Sequence, residues 1–199
     1  MKRRRRALLG GSFDPVHCGH LLVAERLRAL EDLDEILFVP ARQSPHKQRA
    51  AVPARHRLAM LQLALRGNPA FRTSDIELRR RGPSYTIDTV RAFAARWGGR
   101  PTLLLGADAL LDLHAWREAA ALLREARVVV YARPGSEAAA RRARDLHVTY
   151  HRDLLSPVAS RDVRRLARAG ESLRYLVPEP VRRYIEAHGL YGWRPRSRS

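Results

Sequence analysis

The segment 10–20 constrains the fold more than any other part of the chain, because two glycines and two histidines there join an apolar run to a helical repeat. It reads Gly-Gly-Ser-Phe-Asp-Pro-Val-His-Cys-Gly-His. Residues 7–9 before it predict a buried strand, and leucines at helical spacing after it predict a helix that begins near Gly19. Glycines permit close backbone approach, and the free N–H groups of a first helical turn favour an anion. His17 and His20, three residues apart, can share one face of that turn and donate hydrogen bonds to phosphate oxygens.

This segment differs from two familiar phosphate-binding loops. It lacks the Lys-Ser/Thr ending of a P-loop, and it lacks the three glycines of a dinucleotide fingerprint. The simpler alternative is a tight turn that carries two surface histidines. The strand before it and the helix after it favour a phosphate site instead.

Length and cysteine content limit the classes of protein to consider. A chain of 199 residues is long enough for one domain with its own core, and its one cysteine, Cys18, cannot form an intrachain disulfide. The apolar run after the basic residues 2–6 is too short for a secretory signal, and no segment approaches the ~20 apolar residues of a membrane span. We expect a single domain over 1–199 with a core at about 7–192, basic tails at both ends, a cytoplasmic location and no membrane partner.

The formal net charge of +18 raises the question of whether the protein binds nucleic acid. A basic field attracts ATP, polyphosphate or nucleic acid alike. A nucleic-acid-binding module is the alternative of a different class, and it needs a clustered basic face or base-stacking aromatics. The arginines are instead scattered along the predicted helices, and the few aromatics fall on helices and in a predicted pocket. The sequence therefore predicts no specific nucleic-acid partner.

Strands and helices alternate along the chain without an internal repeat. Short, unbroken apolar strands separated by helices predict an α/β fold with a Rossmann-like, doubly wound parallel sheet, whose ligands lie at the carboxyl ends of the strands. A small helical part is expected at the C-terminus. Beyond the first unit, strands are predicted at 35–39, 71–76, 102–105 and 128–131, and helices at 54–66, 86–97, 107–113 and 116–123.

Four further motifs fall at those strand ends or on adjoining loops. The loop 40–47 ends in a basic pair whose Lys47 can reach a triphosphate, and the hydroxyl-rich string 81–89 opens a helix. The string 106–116 offers a glycine, a carboxylate and the aromatic ring of Trp116. Arg133 closes a strand and offers a guanidinium to phosphate. Taken singly, these four are also consistent with a stiffened loop, a capped helix, a buried tryptophan and a strand terminator.

Taken in order, these strings resemble the bacterial nicotinate mononucleotide adenylyltransferases of the nucleotidyltransferase superfamily, which carries a His-x-Gly-His signature. That family shows Gly-Gly-Thr-Phe-Asp-Pro-x-His-x-Gly-His, Pro-Pro-His-Lys, Gly-Pro-Ser-Tyr-Thr-x-Asp-Thr, Gly-x-Asp-x-x-x-x-Leu-x-x-Trp and Arg-Pro-Gly. The closing strings 175–181 and 184–191 are also similar to the end of that family. The resemblance covers the chain apart from its basic tails.

The resemblance implies an enzyme of NAD biosynthesis that transfers AMP from ATP to nicotinate mononucleotide and releases pyrophosphate, with Mg²⁺ carried by ATP and no metal bound by the protein alone. It implies three catalytic residues, which are His17, His20 and Lys47. The ATP site it implies comprises Gly10, Gly11, Ser12, Phe13, His17, His20, Gly106, Asp108, Arg133, Ser160 and Arg164. The mononucleotide site it implies comprises Ser12, Lys47, Tyr85, Thr86 and Trp116.

The chain departs from the family pattern in three places. Ser12 replaces a threonine and keeps a hydroxyl, and Ser44 replaces the first proline of the Pro-Pro-His-Lys loop. At the second phosphate-binding element, Arg161 stands where the family has a threonine and Ala159 where it has a serine. Ser160 is still expected to cap the following helix, and Arg164 still matches the family.

Three related activities stay open beside the family implied. Pantetheine-phosphate adenylyltransferases and cytidylyltransferases share the His-x-Gly-His step, but they are not expected to carry the Ser-Tyr-Thr-x-Asp-Thr and Asp-to-Trp strings together. An enzyme that accepts nicotinamide mononucleotide is a closer alternative. The sequence does not decide between the two mononucleotides, and it leaves the oligomeric state open.

Overall fold

A computed structural model describes residues 4–43, 50–133, 135, 137–152 and 156–195. In this part of the chain, six strands form one sheet in the order β3-β2-β1-β4-β5-β6, and every pairing is parallel. The predicted α/β fold with a Rossmann-like doubly wound sheet is therefore confirmed. The strands are β1 Arg6–Gly11, β2 Glu35–Pro40, β3 Phe71–Thr73, β4 Thr102–Gly106, β5 Arg127–Tyr131 and β6 Thr149–His151.

The central strands are apolar along their length because helices cover both faces of the sheet. In β1, Ala7 and Leu9 point into one core, and Leu8 points into the other. Leu8 stands beside Leu37 of β2 and Leu103 of β4, so the centre of the sheet is filled by leucines in register.

The helices divide between the two faces of the sheet. Apolar side chains of α1, α2, α8 and α9 belong to the first core, and those of α4, α5, α6 and α7 belong to the second. The small C-terminal helical part comprises α8, α9 and a final 3₁₀ turn. The helix bounds are α1 Cys18–Leu30, α2 Ala54–Leu65, α3 Ile76–Arg79, α4 Thr86–Trp97, α5 Ala107–Leu111, α6 Ala119–Glu125, α7 Glu137–Asp145, α8 Ser160–Arg168 and α9 Glu179–Ala187.

Three predicted elements were wrong in their extent. The helix predicted at 116–123 runs instead from Ala119 to Glu125. The strand predicted at 71–76 ends at Thr73, and Ile76 instead begins α3. The helix predicted at 107–113 ends at Leu111 and passes into a 3₁₀ turn, so Trp116 lies between helices rather than inside the next one. In the last two places the apolar run is too short for its periodicity to show where one element ends and the next begins.

The sequence analysis missed two elements, α7 and β6. Helix α7 consists mainly of alanine, arginine and acidic residues, and Ala139 and Ala143 are its buried positions, so its apolar stripe is weak. Strand β6 has three residues, all half-buried, at the edge of the sheet. Neither element carries the long apolar run that a buried strand or helix shows.

The carboxyl ends of β1, β2, β4 and β5 meet at one edge of the sheet. The strand order reverses between β1 and β4, and ligands of such sheets bind in the crevice formed at that point. Among the described residues, no helix is both long and apolar enough to cross a membrane.

Candidate active site

A cavity of about 750 Å³ opens at the carboxyl ends of β1 and β4. Its volume is typical of small-molecule sites, which span about 300–1,000 Å³. Arg164 is not among the residues that line it, and Lys47 lies outside the described residues. The predicted site residues that line this one cavity are Gly10, Gly11, Ser12, Phe13, His17, His20, Tyr85, Thr86, Gly106, Asp108, Trp116, Arg133 and Ser160.

The loop between β1 and α1 turns back on itself at Phe13. Its φ is +45°, and its ring is buried beside the backbone of Gly11. A Cβ on Gly11 would lie 3.2 Å from the Phe13 ring, tighter than an ordinary contact. The ring also meets His20 edge-on, with 5.2 Å between centroids. The second glycine is therefore needed for packing of the loop, and Gly10, exposed with open space beside it, leaves the backbone accessible from the cavity.

The buried guanidinium of Arg57 holds this loop through hydrogen bonds to backbone carbonyls. Its Nη1 donates to the carbonyls of Ser12 and Ala41, each at 2.7 Å, and its Nη2 donates to the carbonyl of Arg42 at 3.3 Å. Burial lowers the pKa of Arg57 from its ordinary value, although the Asp14 carboxylate opposes the shift. The side chain thereby fixes the loops after β1 and β2 against each other.

The sequence contained a signal for Arg57 that the analysis did not use. Arg57, Leu61 and Leu65 are four residues apart in turn, and all three are buried in α2. An arginine on the apolar stripe of a helix is a candidate for a structural or functional contact, because such a cation is rarely buried without partners.

Asp14 ties the same loop to distant parts of the chain. Its two carboxylate oxygens accept hydrogen bonds from the Ala51 N–H at 2.6 Å and from the Tyr191 hydroxyl at 2.9 Å. Burial, and then the nearby Asp14 carboxylate, raises the pKa of Tyr191. The Arg164 Nη1 donates to the Asp14 carbonyl at 2.7 Å. Arg164 thus holds the backbone of the loop. This arrangement does not favour the predicted contact between Arg164 and ATP.

The two histidines of the signature are coupled through the backbone. The His17 N–H donates to Nδ1 of His20 at 3.2 Å, and the two rings lie 3.7 Å apart between centroids. Because His20 Nδ1 accepts this bond, the proton of a neutral ring is on Nε2. His17 is 4% exposed, and burial, followed by the charge of Arg133, lowers its pKa to about 4. His17 is therefore neutral at pH 7.

The first turn of α1 fits closely against the segment before α8. A Cβ on Gly19 would lie 2.3 Å from the Ser156 hydroxyl and 3.0 Å from His17 Nδ1. Any other residue at Gly19 forces these groups apart. Glycine in the His-x-Gly-His string therefore serves the packing of His17 rather than the turn alone.

Charged groups flank the loop on its β4 and β5 side. Arg133 Nε lies 3.5 Å from Asp108 Oδ2, and its guanidinium also lies 5.9 Å from the Tyr131 ring centroid. A Cβ on Gly106 would lie 3.2 Å from Arg133 Nε, so the glycine gives this arginine room. Among the described residues, no three His, Cys, Asp or Glu side chains cluster as a metal site would.

Aromatic rings form another part of the cavity wall, the aromatic wall. The Arg117 guanidinium lies 4.8 Å from the centre of the Tyr85 ring, within the range of a cation–π contact. Trp116 is half-buried, packs against the second core and also lines the cavity. This position is compatible with both the structural and the binding interpretation of Trp116, and its contact with the mononucleotide stays a prediction. Sequence reasoning missed Arg117, which directly follows Trp116.

A buried carboxylate in this wall, Glu77, was also missed. Its Oε1 accepts a hydrogen bond from the Thr89 hydroxyl at 2.8 Å, and Ser84 donates to it as well. Burial raises the pKa of Glu77 above its usual value. The Ser84 hydroxyl oxygen also accepts the Arg42 N–H at 3.0 Å, which connects this wall to the loop after β2. No signal marked Glu77, because it directly follows the segment 71–76 that was predicted to be a strand and lies in none of the motifs.

The element around residue 160 differs from the prediction. Ala159, not Ser160, is the N-cap of α8, and the Ser160 hydroxyl donates to the Pro15 carbonyl at 2.9 Å. The expected cap is therefore wrong, because the hydroxyl satisfies the first loop instead of the helix. Arg161 is exposed and lines the cavity.

Comparison with known proteins agrees with this geometry. The family model described as cytidylyltransferase-like matches residues 8–169. A protein of Symbiobacterium thermophilum, named probable nicotinate-nucleotide adenylyltransferase, is 48% identical to this chain over 94% of it and 95% of the relative. A protein of Thermomicrobium roseum with the same name is 42% identical over 94% and 91%.

A solved structure shows the same fold at lower identity. The nicotinic acid mononucleotide adenylyltransferase of Plasmodium falciparum, complexed with NaAD, superposes with a TM-score of 0.79 at 18% identity, covering 96% of this chain and 98% of that one. With the family model and the relatives both spanning most of the sequence, the chain belongs to the nicotinate-nucleotide adenylyltransferase family.

Proposed function

We propose that this enzyme joins ATP and nicotinate mononucleotide in the cavity at the carboxyl ends of β1 and β4, forming deamido-NAD and pyrophosphate. The observation that carries the proposal is the lining of that cavity. It is lined by the His17–His20 loop and Asp108, and also by Tyr85 and Trp116. Phosphate-binding groups and aromatic groups that line one space are what two substrates need if their phosphates are to meet.

The reaction requires alignment more than proton transfer. A phosphate oxygen of the mononucleotide attacks the α-phosphorus of ATP, and the bond from that phosphorus to the bridging oxygen of the β-phosphate breaks. The nucleophile is already ionised at neutral pH, so the step needs no general base. In-line positioning and stabilisation of the departing pyrophosphate account for the rate.

The histidines are the proposed donors to the ATP phosphates. His20 is held by the bond from the His17 N–H to its Nδ1, which puts the proton of a neutral ring on Nε2, the atom proposed to donate to a phosphate oxygen. His17 is neutral and supplies a hydrogen bond without a formal charge. Gly10, Gly11, Ser12 and Phe13 form the backbone around these phosphates, and Ser160 supports that backbone through Pro15.

Cationic charge for the triphosphate comes from arginine and lysine. Arg133 lies at the cavity and can leave its contact with Asp108 for a phosphate, since that ion pair is long and partly exposed. Lys47 is proposed to assist from the loop after β2. Mg²⁺ enters as part of the substrate, coordinated by the phosphates of ATP.

The aromatic wall is the proposed mononucleotide site. The Trp116 ring stacks on the pyridine, and Tyr85 and Thr86 stand at the start of α4, whose N-terminal N–H groups favour an anionic substituent. Asp108 and Gly106, at the end of β4, are left for the adenosine of ATP. A cytoplasmic location stays a prediction, and the oligomeric state stays open.

One assay tests the proposal. Pyrophosphate release from ATP is measured with nicotinate mononucleotide, nicotinamide mononucleotide and phosphopantetheine as acceptors. We expect the highest kcat/KM with nicotinate mononucleotide. A preference for phosphopantetheine, or release without any acceptor, contradicts it, and equal use of both mononucleotides corrects the substrate.

A further inference from the structure

Helix α8 gathers its arginines on one face, although the sequence analysis described the arginines as scattered. Consecutive helical residues are about 100° apart, so positions 161, 165 and 168 fall within one narrow arc, and the buried Val163 and Ala167 face the opposite way. Arg161, Arg165 and Arg168 are all exposed. We call these three residues the arginine face.

The arginine face carries charge that the described part of the protein does not neutralise. None of its guanidiniums forms an ion pair or side-chain hydrogen bond with another described residue. Some exposed arginines elsewhere are paired, as Arg91 is with Glu118 and Arg183 is with Glu179. Asp162, the acidic residue of α8, lies about a quarter turn from Arg161 and outside the arc.

The arginine face is continuous with the cavity. Arg161, at its head, lines the cavity beside Ser160. Arg165 and Arg168 follow at about 6 Å and about 10 Å along the helix axis, given a rise of about 1.5 Å per residue. Both distances are comparable to the Debye length of about 8 Å at physiological salt, so their field reaches an anion at the cavity mouth. Their spacing away from the cavity keeps them clear of a bound ligand.

We propose that Arg165 and Arg168 form an outer capture site for the polyphosphate of ATP, which speeds entry of ATP without contacting it once bound. This inference rests on the proposed function, because it takes ATP as the anion that enters. Cations arranged along the approach to a cleft raise association rates by about 10 to 10³-fold, and the gain falls steeply with salt. The arginine face thus acts on binding rate, and kcat is left unchanged.

The test compares two charge-reversal variants with the same change in net charge. R165E/R168E reverses the outer capture site. R66E/R96E reverses two exposed arginines at the ends of α2 and α4, on the opposite edge of the sheet from the cavity. The probe is N-methylanthraniloyl-ATP, and its association rate constant is measured by stopped-flow fluorescence at low and at high salt.

We expect R165E/R168E to lower the association rate about tenfold at ~20 mM salt and less than about twofold at ~0.5 M salt. The R66E/R96E control keeps most of the wild-type association rate at both salt concentrations. An equal loss in the control overturns the proposal, because net charge alone then explains the effect. If R165E/R168E unfolds, Arg165→Gln with Arg168→Gln gives the same comparison at half the charge change.

The failure of this inference is distinguishable from that of the proposed function. If wild-type protein shows no pyrophosphate release with nicotinate mononucleotide and ATP, the proposed function fails. If wild type is active and R165E/R168E associates with the probe at the wild-type rate at low salt, the capture site alone fails. Loss of single-stranded oligonucleotide binding in R165E/R168E, with unchanged ATP association, assigns the arginine face to nucleic acid and also overturns the proposal.

Discussion

The Thr89 hydroxyl donates a hydrogen bond of 2.8 Å to Glu77, a buried carboxylate in the wall of the cavity. The Arg80 Nη1 in turn donates to the same hydroxyl at 2.8 Å. The hydroxyl therefore accepts from a cation and donates to the carboxylate. This pair keeps a carboxyl group beside the start of α4, where the aromatic wall of the site begins.

Replacement of Glu77 by glutamine is expected to change how stability depends on pH. Burial raises the native pKa of Glu77, so above the unfolded value of 4.5 the native state retains a proton that the unfolded state has lost. The wild type therefore loses stability as pH rises through that interval, and glutamine does not. We expect the stability of Glu77→Gln relative to wild type to increase with pH above about 4.5 in urea unfolding. A difference independent of pH contradicts this.

The lowered pKa of His17 predicts that stability increases with pH, opposite to the effect of Glu77. The native pKa of His17 is about 4, against 6.5 for an ordinary histidine side chain, so below pH 6.5 the unfolded state binds a proton that the native state does not. Stability is therefore complete above pH 6.5 and falls as the pH approaches 4, by about 3 kcal/mol at about 1.4 kcal/mol per pKa unit. Urea unfolding of wild type and His17→Gln at several pH values checks this. If the difference in free energy of unfolding between wild type and His17→Gln does not change with pH, the pKa of His17 is not lowered by folding.

The contacts that are short in sequence were largely predictable. The residues 10–20 form their strand–loop–helix unit through neighbours, and the bounds of α4, Thr86–Trp97, follow from its apolar spacing and hydroxyl-rich start. Periodicity and turn residues act over a few positions, and a single sequence shows them directly.

The supports of the site were not predictable, because they connect distant positions. Tyr191 reaches Asp14 across 177 residues, and Arg57 reaches Ser12 across 45. The sequence shows a polar residue but not the partner that it contacts in the fold. Arg164 therefore matched a phosphate motif, although its guanidinium binds the backbone of Asp14. Only the packed structure reveals which polar groups are already occupied.

His20→Ala is expected to reduce turnover far more than stability. The proposed work of His20 is on charge that develops in the transition state, and removal of one such donor typically lowers the rate about 10² to 10³-fold. His114→Ala is the matched control, since that histidine is exposed and does not line the cavity. Steady-state kinetics with thermal unfolding separates the two effects. Turnover close to wild type in a folded His20→Ala protein contradicts the assignment.

Trp116→Ala is expected to raise the Michaelis constant for the mononucleotide and to leave that for ATP nearly unchanged. The ring faces the cavity on the aromatic side, and it also packs against the second core, so a loss of stability accompanies the change. Trp97→Ala is the control, because Trp97 is also half-buried against that core and ends α4 away from the cavity. Equal effects of Trp116→Ala on both Michaelis constants show that the ring serves packing alone.

Arg161 and Arg164 are expected to separate into a binding and a supporting role. Arg161 is exposed and lines the cavity, so Arg161→Ala weakens ATP binding, and the loss shrinks at high salt, which screens an exposed cation. Arg164 donates to the Asp14 carbonyl, and a hydrogen bond from a charged group is worth about 1.5–3 kcal/mol. Arg164→Ala therefore lowers the free energy of unfolding by about that amount, with little dependence on salt.

Calorimetric titration of ATP at low and at high salt, with urea unfolding of the same proteins, checks both roles. Arg96→Ala serves as the control, since Arg96 is exposed in the last turn of α4 and does not line the cavity. If Arg164→Ala weakens ATP binding with wild-type stability while Arg161→Ala does not, the family's phosphate contact is Arg164 after all. In that case the guanidinium must leave the Asp14 carbonyl when ATP binds, and the loop that carries His17 must be held by its remaining contacts, among them those of Arg57, Tyr191 and Ser160.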